Sequence, residues 1–363
     1  MIRTESIRYD VLRNGAEYAE IFSSGGSTLR MDGNGEIKTS LQGTFLAAAI
    51  DTRGNEAEIN WFTDEIRPVL IVDGVKKPLG VFLVSKVTPR EDRGKKTLEI
   101  QAFDRSWIVR DTKVEGALFL SAGTRYIDAI EGLLTSSGIG MIIKTPSSAV
   151  LGEDRADWET GTSYLEIINE LLGEINYKQL WFDSSGSAVI EPASVPRAEN
   201  IKHVFTNKKT DPKNPKEVGL ISVHPVISRE TDVYQSPNVF ICVCSNADKD
   251  APMVATAENT NPQSPLSIMR RGRRIVKVER LNNIASQEEL EAYANRILFE
   301  SMTTGETITV ETGLLPDFGV NDVSALDYAD NTTGICIEKA WSMQLTPGGK
   351  MTHTLEKVVL NIG

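Results

Sequence analysis

Residues 158–192 read WETGTSYLEIINELLGEINYKQLWFDSSGSAVIEP, and the rest of the chain is understood from this stretch outward. Ser163 stands where an N-cap oxygen can accept from the backbone N–H three residues on, and Glu166 stands where a capping box needs it. Tyr164, Ile167, Ile168, Leu171 and Leu172 fall on one helical face. Gly173 is placed to stop that helix in a left-handed conformation. Leu180 to Asp183 and Ala188 to Glu191 then read as two short strands joined by Ser184-Ser185-Gly186, a glycine-containing hairpin turn. The stretch predicts a helix and a hairpin, and it holds no constellation of reactive side chains.

On its N-terminal side, residues 1–104 read as β-rich. Ile7 to Arg13 and Ala16 to Phe22 flank Asn14-Gly15, the favoured dipeptide of a two-residue hairpin. Val69 to Val72 and Gly80 to Val87 flank Asp73-Gly74 and Pro78, and Thr97 to Phe103 alternates apolar with polar residues. Many short strands with turn signals predict a small sheet or barrel. Residues 105–195 change character. Tyr126, Ile127, Ile130, Leu133 and Leu134 lie at helical spacing, with Gly138 marking the end. Residues 196–363 return to β after a Pro- and Lys-rich loop (Asn207 to Glu217), with an insertion around 245–300. One helix interrupts there: Ser286 caps it, Glu289 completes a capping box, and Leu290, Tyr293, Ala294, Ile297 and Leu298 form its face.

At 363 residues the chain has room for two or three domains. Apolar content of 40% and charged content of 25% suit a folded protein. No run approaches the ~20 apolar residues of a membrane helix, and MIRTESIRYDV lacks a signal-peptide core, so synthesis in a cytoplasm is expected. A net charge of −11 makes a poor general nucleic-acid binder. It remains compatible with lining a passage to which DNA must not adhere. Three cysteines make a disulfide framework improbable, and Cys242 and Cys244 share one strand face as core thiols.

A search for chemistry yields little. His203, His224 and His353 each stand alone in strand-like or loop context, and no G-x-S-x-G elbow accompanies them. Gly94-Lys-Lys-Thr97 fails as a phosphate loop because Pro89 stands where the first glycine belongs. Asp32-Gly-Asn-Gly-Glu36 lacks calcium-loop spacing, and Asn331-Thr332-Thr333 reads as a turn. Glu153, Asp154, Asp157 and Glu159 crowd one loop, where paired carboxylates could in principle serve a glycoside hydrolase. A solvated acidic loop is the commoner reading. No catalytic, cofactor-binding or metal-binding residue is assigned. Arg270, Arg271, Arg273 and Arg274 form the sharpest basic run, suited to an acidic neighbour or a DNA path, or to plain solvation. Trp61 and Trp181, each followed by phenylalanine, read as core or interface anchors.

In four stretches the chain resembles the baseplate hub proteins of phage tails and related contractile particles, the late control protein D-like family. The stretches are PLGVFLV (78–84) leading to LEIQAFDR (98–105); residues 158–192; GLISVHP (219–225) with NVFICV (238–243); and NPQSPLS (261–267) with Arg271-Gly-Arg273 and the helix from Glu288 to Phe299. Their order and spacing carry the resemblance, and the first 65 residues match least. The resemblance implies an α+β, mainly β fold. Two tail-tube-like β-barrel domains, 1–104 and 196–363, would flank an α+β connector, 105–195, with a helix inserted in the second barrel. It further implies a homotrimer whose six barrels adapt a sixfold tube to a threefold spike and line the central channel.

The implied partners are further copies of the chain, the tail tube protein, a spike or tail-tip protein, other baseplate proteins and the tape measure protein. DNA would pass without specific binding. The implied location is the virion baseplate, after assembly in the host cytoplasm. Long family members carry peptidoglycan hydrolase domains at the C-terminus. Here the sequence stops at Gly363, after the last strand, so wall cleavage is not expected. Two rival classes stay open at this point: a host-wall-binding baseplate component using exposed aromatics, and a wall hydrolase using Glu153 and Asp157. Contractile and non-contractile tails, and phage and bacteriocin-like particles, are equally compatible.

Overall fold

Asn14 and Gly15 sit at φ 52° and 77°, and together they turn β1 (Glu5–Arg13) into β2 (Ala16–Asp32). Both central residues of such a turn need positive φ, which asparagine and glycine tolerate best. The computed structural model describes residues 4–193, 196–208, 220–223, 228–231, 237–245, 252–281, 283–284, 286–301, 303–329 and 333–358. The Pro- and Lys-rich segment 209–217, His224 and the Asn331-Thr332 pair lie outside the described residues.

The first region continues with β3 (Thr39–Asp51), β4 (Glu65–Val72), β5 (Val75–Pro78), β6 (Phe82–Asp92) and β7 (Lys95–Asp104). The middle region holds α1 (Ser106–Asp111), α2 (Tyr126–Ser136), β8 (Ile142–Lys144), α3 (Tyr164–Glu174), β9 (Trp181–Phe182) and β10 (Ala188–Ile190). Beyond it come β11 (His203–Thr206), β12 (Leu220–Ser222), β13 (Ser228–Thr231), β14 (Val239–Cys244) and β15 (Met253–Glu258). The chain then forms α4 (Ile268–Arg271), β16 (Val276–Leu281), α5 (Gln287–Ser301), β17 (Thr303–Gly313), β18 (Val323–Asp327), β19 (Thr333–Gln344) and β20 (Lys350–Val358). The protein is mainly β with helical segments, as expected.

Six strands of the first region pair antiparallel around a circuit: β1 with β4, β4 with β6, β6 with β7, β7 with β3, β3 with β2, and β2 back to β1. Strand β2 changes partner along its length. Ala16 to Ile21 pair with β1, while Thr28 to Asp32 pair with β19, Thr28 facing Gln344. From β19 the ladder runs one way through β18, β11 and β12, and the other way through β20, β17 and β13. Fourteen strands from both β regions thus belong to one hydrogen-bonded sheet rather than to two unconnected ones. One apolar core follows that sheet and joins Tyr9, Leu29, Phe45 and Phe82 to Phe205, Val310, Tyr328 and Met351.

The middle region buries its own core, in which Tyr126, Ile130 and Leu134 of α2 meet Leu165, Ile168, Leu171 and Leu172 of α3. Ser163 Oγ caps α3 by accepting from Leu165 N, two residues on rather than three. Gly173 lies inside the helix instead of ending it, and Asn176 takes the left-handed conformation at φ 59°. The short extension brings Glu174 into the interior, where Tyr126 and Arg155 bind it. The hairpin forms as read, with β9 antiparallel to β10, and β8 pairs in parallel on the other side of β10.

A third core lies under a small sheet in the order β15-β14-β16. Phe240, Cys242, Cys244, Ala255 and Ala257 meet Leu290, Ala294 and Leu298 of α5. Cys242 and Cys244 are buried on one strand face, as alternation requires. Ser286 Oγ accepts from Glu289 N, so the expected cap of α5 forms.

Candidate functional site

Two histidines gather although neither has a sequence neighbour that announces it. His353 on β20 places Nε2 2.9 Å from Thr312 Oγ1 on β17, and its Nδ1 lies 3.2 Å from Glu338 on β19. The three strands are adjacent in the ladder, so side chains far apart in sequence share one face. Phe205 and Phe318 close over the imidazole at centroid distances of 5.0 and 4.7 Å. On the far side His203 stacks on Phe318 at 3.9 Å, with Nε2 3.7 Å from Asp322, beyond hydrogen-bond length. The expectation that each histidine stands alone is corrected for His203 and His353. Strand pairing assembles them, and sequence spacing does not record it.

Carboxylate, imidazole and hydroxyl stand in the order of a hydrolytic triad, yet the environment opposes that chemistry. Glu338 and His353 have 0% side-chain exposure, and Thr312 is buried, so no substrate carbonyl can reach the hydroxyl in this conformation. Burial lowers His353 to about 3 and raises Glu338 well above the carboxylate range. A base so depressed cannot accept a proton near neutrality. Thr312 Oγ1 instead donates to Gly313 O, completing a relay that ties β19, β20 and β17 together. Asp322 behaves differently. Burial alone would raise it, but the facing His203, Lys202 and the Gly319 N–H hold it at about 2.

The acidic loop is organised by one cation. Arg155 Nε lies 2.8 Å from Asp157, Nη1 lies 2.8 Å from Glu174 and Nη2 lies 2.8 Å from Glu170, and the guanidinium covers the Trp158 ring at 4.6 Å. The hydrogen bond from Arg155 keeps Asp157 below its ordinary range. Asp154 accepts from Ala122 N at 2.7 Å, and Glu153 accepts from Asn283 Nδ2 at 3.4 Å. Glu159 is exposed. These carboxylates serve loop and cation contacts, and the two named for a hydrolase, Glu153 and Asp157, hold different partners.

Among the expected interface residues, Trp61 packs against the main core, and its neighbour Phe62 stands 96% exposed. The two rings lie in a turn, and the sequence did not tell which of them faces out. Trp181 also packs on the main core, beside a cavity of about 50 Å³ shared with Phe82, Phe318 and Trp341. Arg270 lies in α4, donating from its backbone to Ser267 Oγ and from Nε to Pro262 O. Arg274 reaches Glu258 at 2.6 Å, and Arg273 is exposed. Arg271 is half-buried at the end of α4. The basic run therefore lies beside β16 and β15, while the two tryptophans lie on the main core.

Comparison with solved structures places this arrangement. A tail protein from Neisseria meningitidis MC58 superposes at TM-score 0.65 with 13% identity, over 97% of this chain and 97% of that one. A 43 kDa tail protein of prophage MuSo2 from Shewanella oneidensis superposes at TM-score 0.62 with 11% identity, over 97% and 98%. The chain has a phage tail-protein fold. An E. coli type VI secretion component, described as structurally similar to T4 bacteriophage tail proteins gp27 and gp5, shares that fold at TM-score 0.51 and 8% identity, over 96% of this chain and 77% of that one. No protein-family model and no curated protein sequence matches the chain. In sequence, the circuit strands β1–β4, β6 and β7 precede residues 105–195, and β11–β13 and β17–β20 of the same sheet follow them.

Proposed function

We propose that the protein is a structural component of a tail or tail-like injection particle: a trimeric hub at the distal end of the tail tube. The observation that carries the reading is likeness to tail proteins over nearly the whole of both chains. In this reading residues 1–104 and 196–363 are two tube-like barrels and 105–195 is the connector. Three chains then offer six barrels to a sixfold tube above and a threefold spike below. The closed strand circuit of β1 to β7 supports the first barrel. The net charge of −11 supports a lumen through which DNA slides without adhesion.

Partners under this proposal are two further copies, the tube protein, the spike or tip protein, other baseplate proteins and the tape measure protein. The location is the baseplate. The function is assembly and gating without turnover. The sealed Glu338–His353–Thr312 relay and the committed carboxylates around Arg155 support a non-catalytic role. Trp61, Trp181 and the Arg270–Arg274 run are proposed as contact residues, the arginines by their charge, and Phe62 joins them by its exposure.

Imaging of purified particles carrying a labelled copy tests the hub. Label at the distal end of the tube in three copies is expected. A stable monomer absent from the particles would overturn the proposal.

A further inference from the structure

Residues 270–280, RRGRRIVKVER, carry six cations and one carboxylate, a net +5 on a chain of net −11. Their C-terminal part forms β16, which pairs in parallel with β14 on one side and with no described strand on the other. An open edge presents unpaired N–H and C=O groups, and proteins ordinarily cover, charge or shorten such edges. Here the edge also has an apolar face. Register puts Val276 beside Val239, Val278 beside Ile241, and Val243 between Arg280 and Val254. These residues alternate with those that pack on α5, so they occupy the opposite face of the sheet. Val276 and Val278 are 47% and 48% exposed, whereas Val239 on the same face is buried. Arg274 and Lys277 have carboxylate partners in Glu258 and Glu279, while Arg273 and Arg280 have none among the described residues.

We infer that β16 is the docking edge for an acidic, extended strand of a different protein. That strand hydrogen-bonds to the free edge and lays alternate apolar side chains over Val276 and Val278. Its carboxylates, on the other face, meet Lys277, and Arg280 and Arg270–Arg274 steer its approach. Exposed valines have no use for a phosphate backbone, and among the described residues no aromatic platform for stacking bases lies on this face, so polypeptide is favoured over nucleic acid. A second copy of this chain is a poor occupant. Its other edge strands β5, β8, β9, β12 and β13 read VKKP, IIK, WF, LIS and SRET, basic or neutral in net charge, and the one carboxylate of β15 already binds Arg274. The inference builds on the contact role proposed for Arg270–Arg274. It fails separately from the hub reading, which is decided on particles.

The test uses the full chain and a short synthetic peptide alternating valine and glutamate, with a valine–lysine peptide and oligothymidine as competitors. The valine–glutamate peptide is expected to bind and to slow amide exchange at 276–281. Affinity should fall about tenfold or more in Lys277→Glu/Arg280→Glu and in Val278→Lys. All three positions are on the edge strand, so folding is expected to be retained, and circular dichroism checks it. Four results overturn the inference: no peptide binding, equal binding of the lysine peptide, tighter binding of oligothymidine at the same amides, or full protection of 276–281 in the free protein.

Discussion

His353 Nδ1 lies 3.2 Å from both carboxylate oxygens of Glu338, with both side chains sealed from water. Burial depresses the imidazole to about 3 and raises the carboxyl, so at neutral pH the pair is uncharged. Glu338 O–H then donates to Nδ1, and Nε2–H donates to Thr312 Oγ1.

The two members of this pair respond oppositely to pH. Below about 6.5 the unfolded histidine gains a proton that the folded one does not accept until pH falls to about 3, so stability drops across that window. Above about 4.5 the unfolded glutamate loses a proton that the folded one keeps, so stability drops as pH rises. Glu338→Gln keeps a donor to Nδ1 without that proton uptake. It is expected to be more stable than the parent at pH near 8, with no gain at pH near 4. Urea denaturation at both pH values checks this. A variant weaker than the parent at pH 8 would mean the pair is ionic.

Arg155, buried in the middle region, pairs with buried Glu174 and with the more exposed Asp157 and Glu170. Arg155→Met leaves Glu174 buried without its cation and is expected to cost ~3–5 kcal/mol. Joining it to Glu174→Leu removes the stranded charge and should recover part of that loss, although Tyr126 loses its acceptor. Thermal unfolding of the two single variants and the double variant measures the coupling.

Lys38 is buried and donates to Gly33 O, Gly35 O and Gln179 Oε1, joining the loop after β2 to the middle region. Burial lowers its pKa. Lys38→Met leaves three acceptors without a donor, and a loss of ~2–4 kcal/mol is expected from such unsatisfied groups. Faster proteolytic nicking near residues 33–38 should accompany it.

All three cysteines are buried, and burial raises Cys242 to about 11 and Cys336 to about 12. Thiolate is the reactive form, so a disulfide reagent at pH near 8 should leave the folded protein untouched. In denaturant it should titrate all three. Rapid labelling of the folded protein would show an opening motion at β14 or β19.

Local signals were legible wherever the causes were local. Asn14-Gly15 turned the chain because both residues accept positive φ, and Cys242 and Cys244 went inward because strands alternate. The face of α3 followed from its spacing, but its end did not. Glu174 is held by Arg155 and Tyr126, nineteen and forty-eight positions away, and those bonds carry the helix past Gly173. The histidine relay was illegible for the same reason. Thr312, Glu338 and His353 meet only after three strands pair. Local alternation likewise does not record the partner change of β2.

That change of partner bears on synthesis. Thr28 emerges from the ribosome long before its partner Gln344. Until then, half of β2 has an open edge, and Leu29 and Met31 lack Met343 and Trp341 in their shared core. Contacts so distant in sequence form slowly, and exposed edges invite wrong pairing. The nascent first region is therefore the stage at which a chaperone has most to shield, and the emergence of β19 is the step that commits the fold.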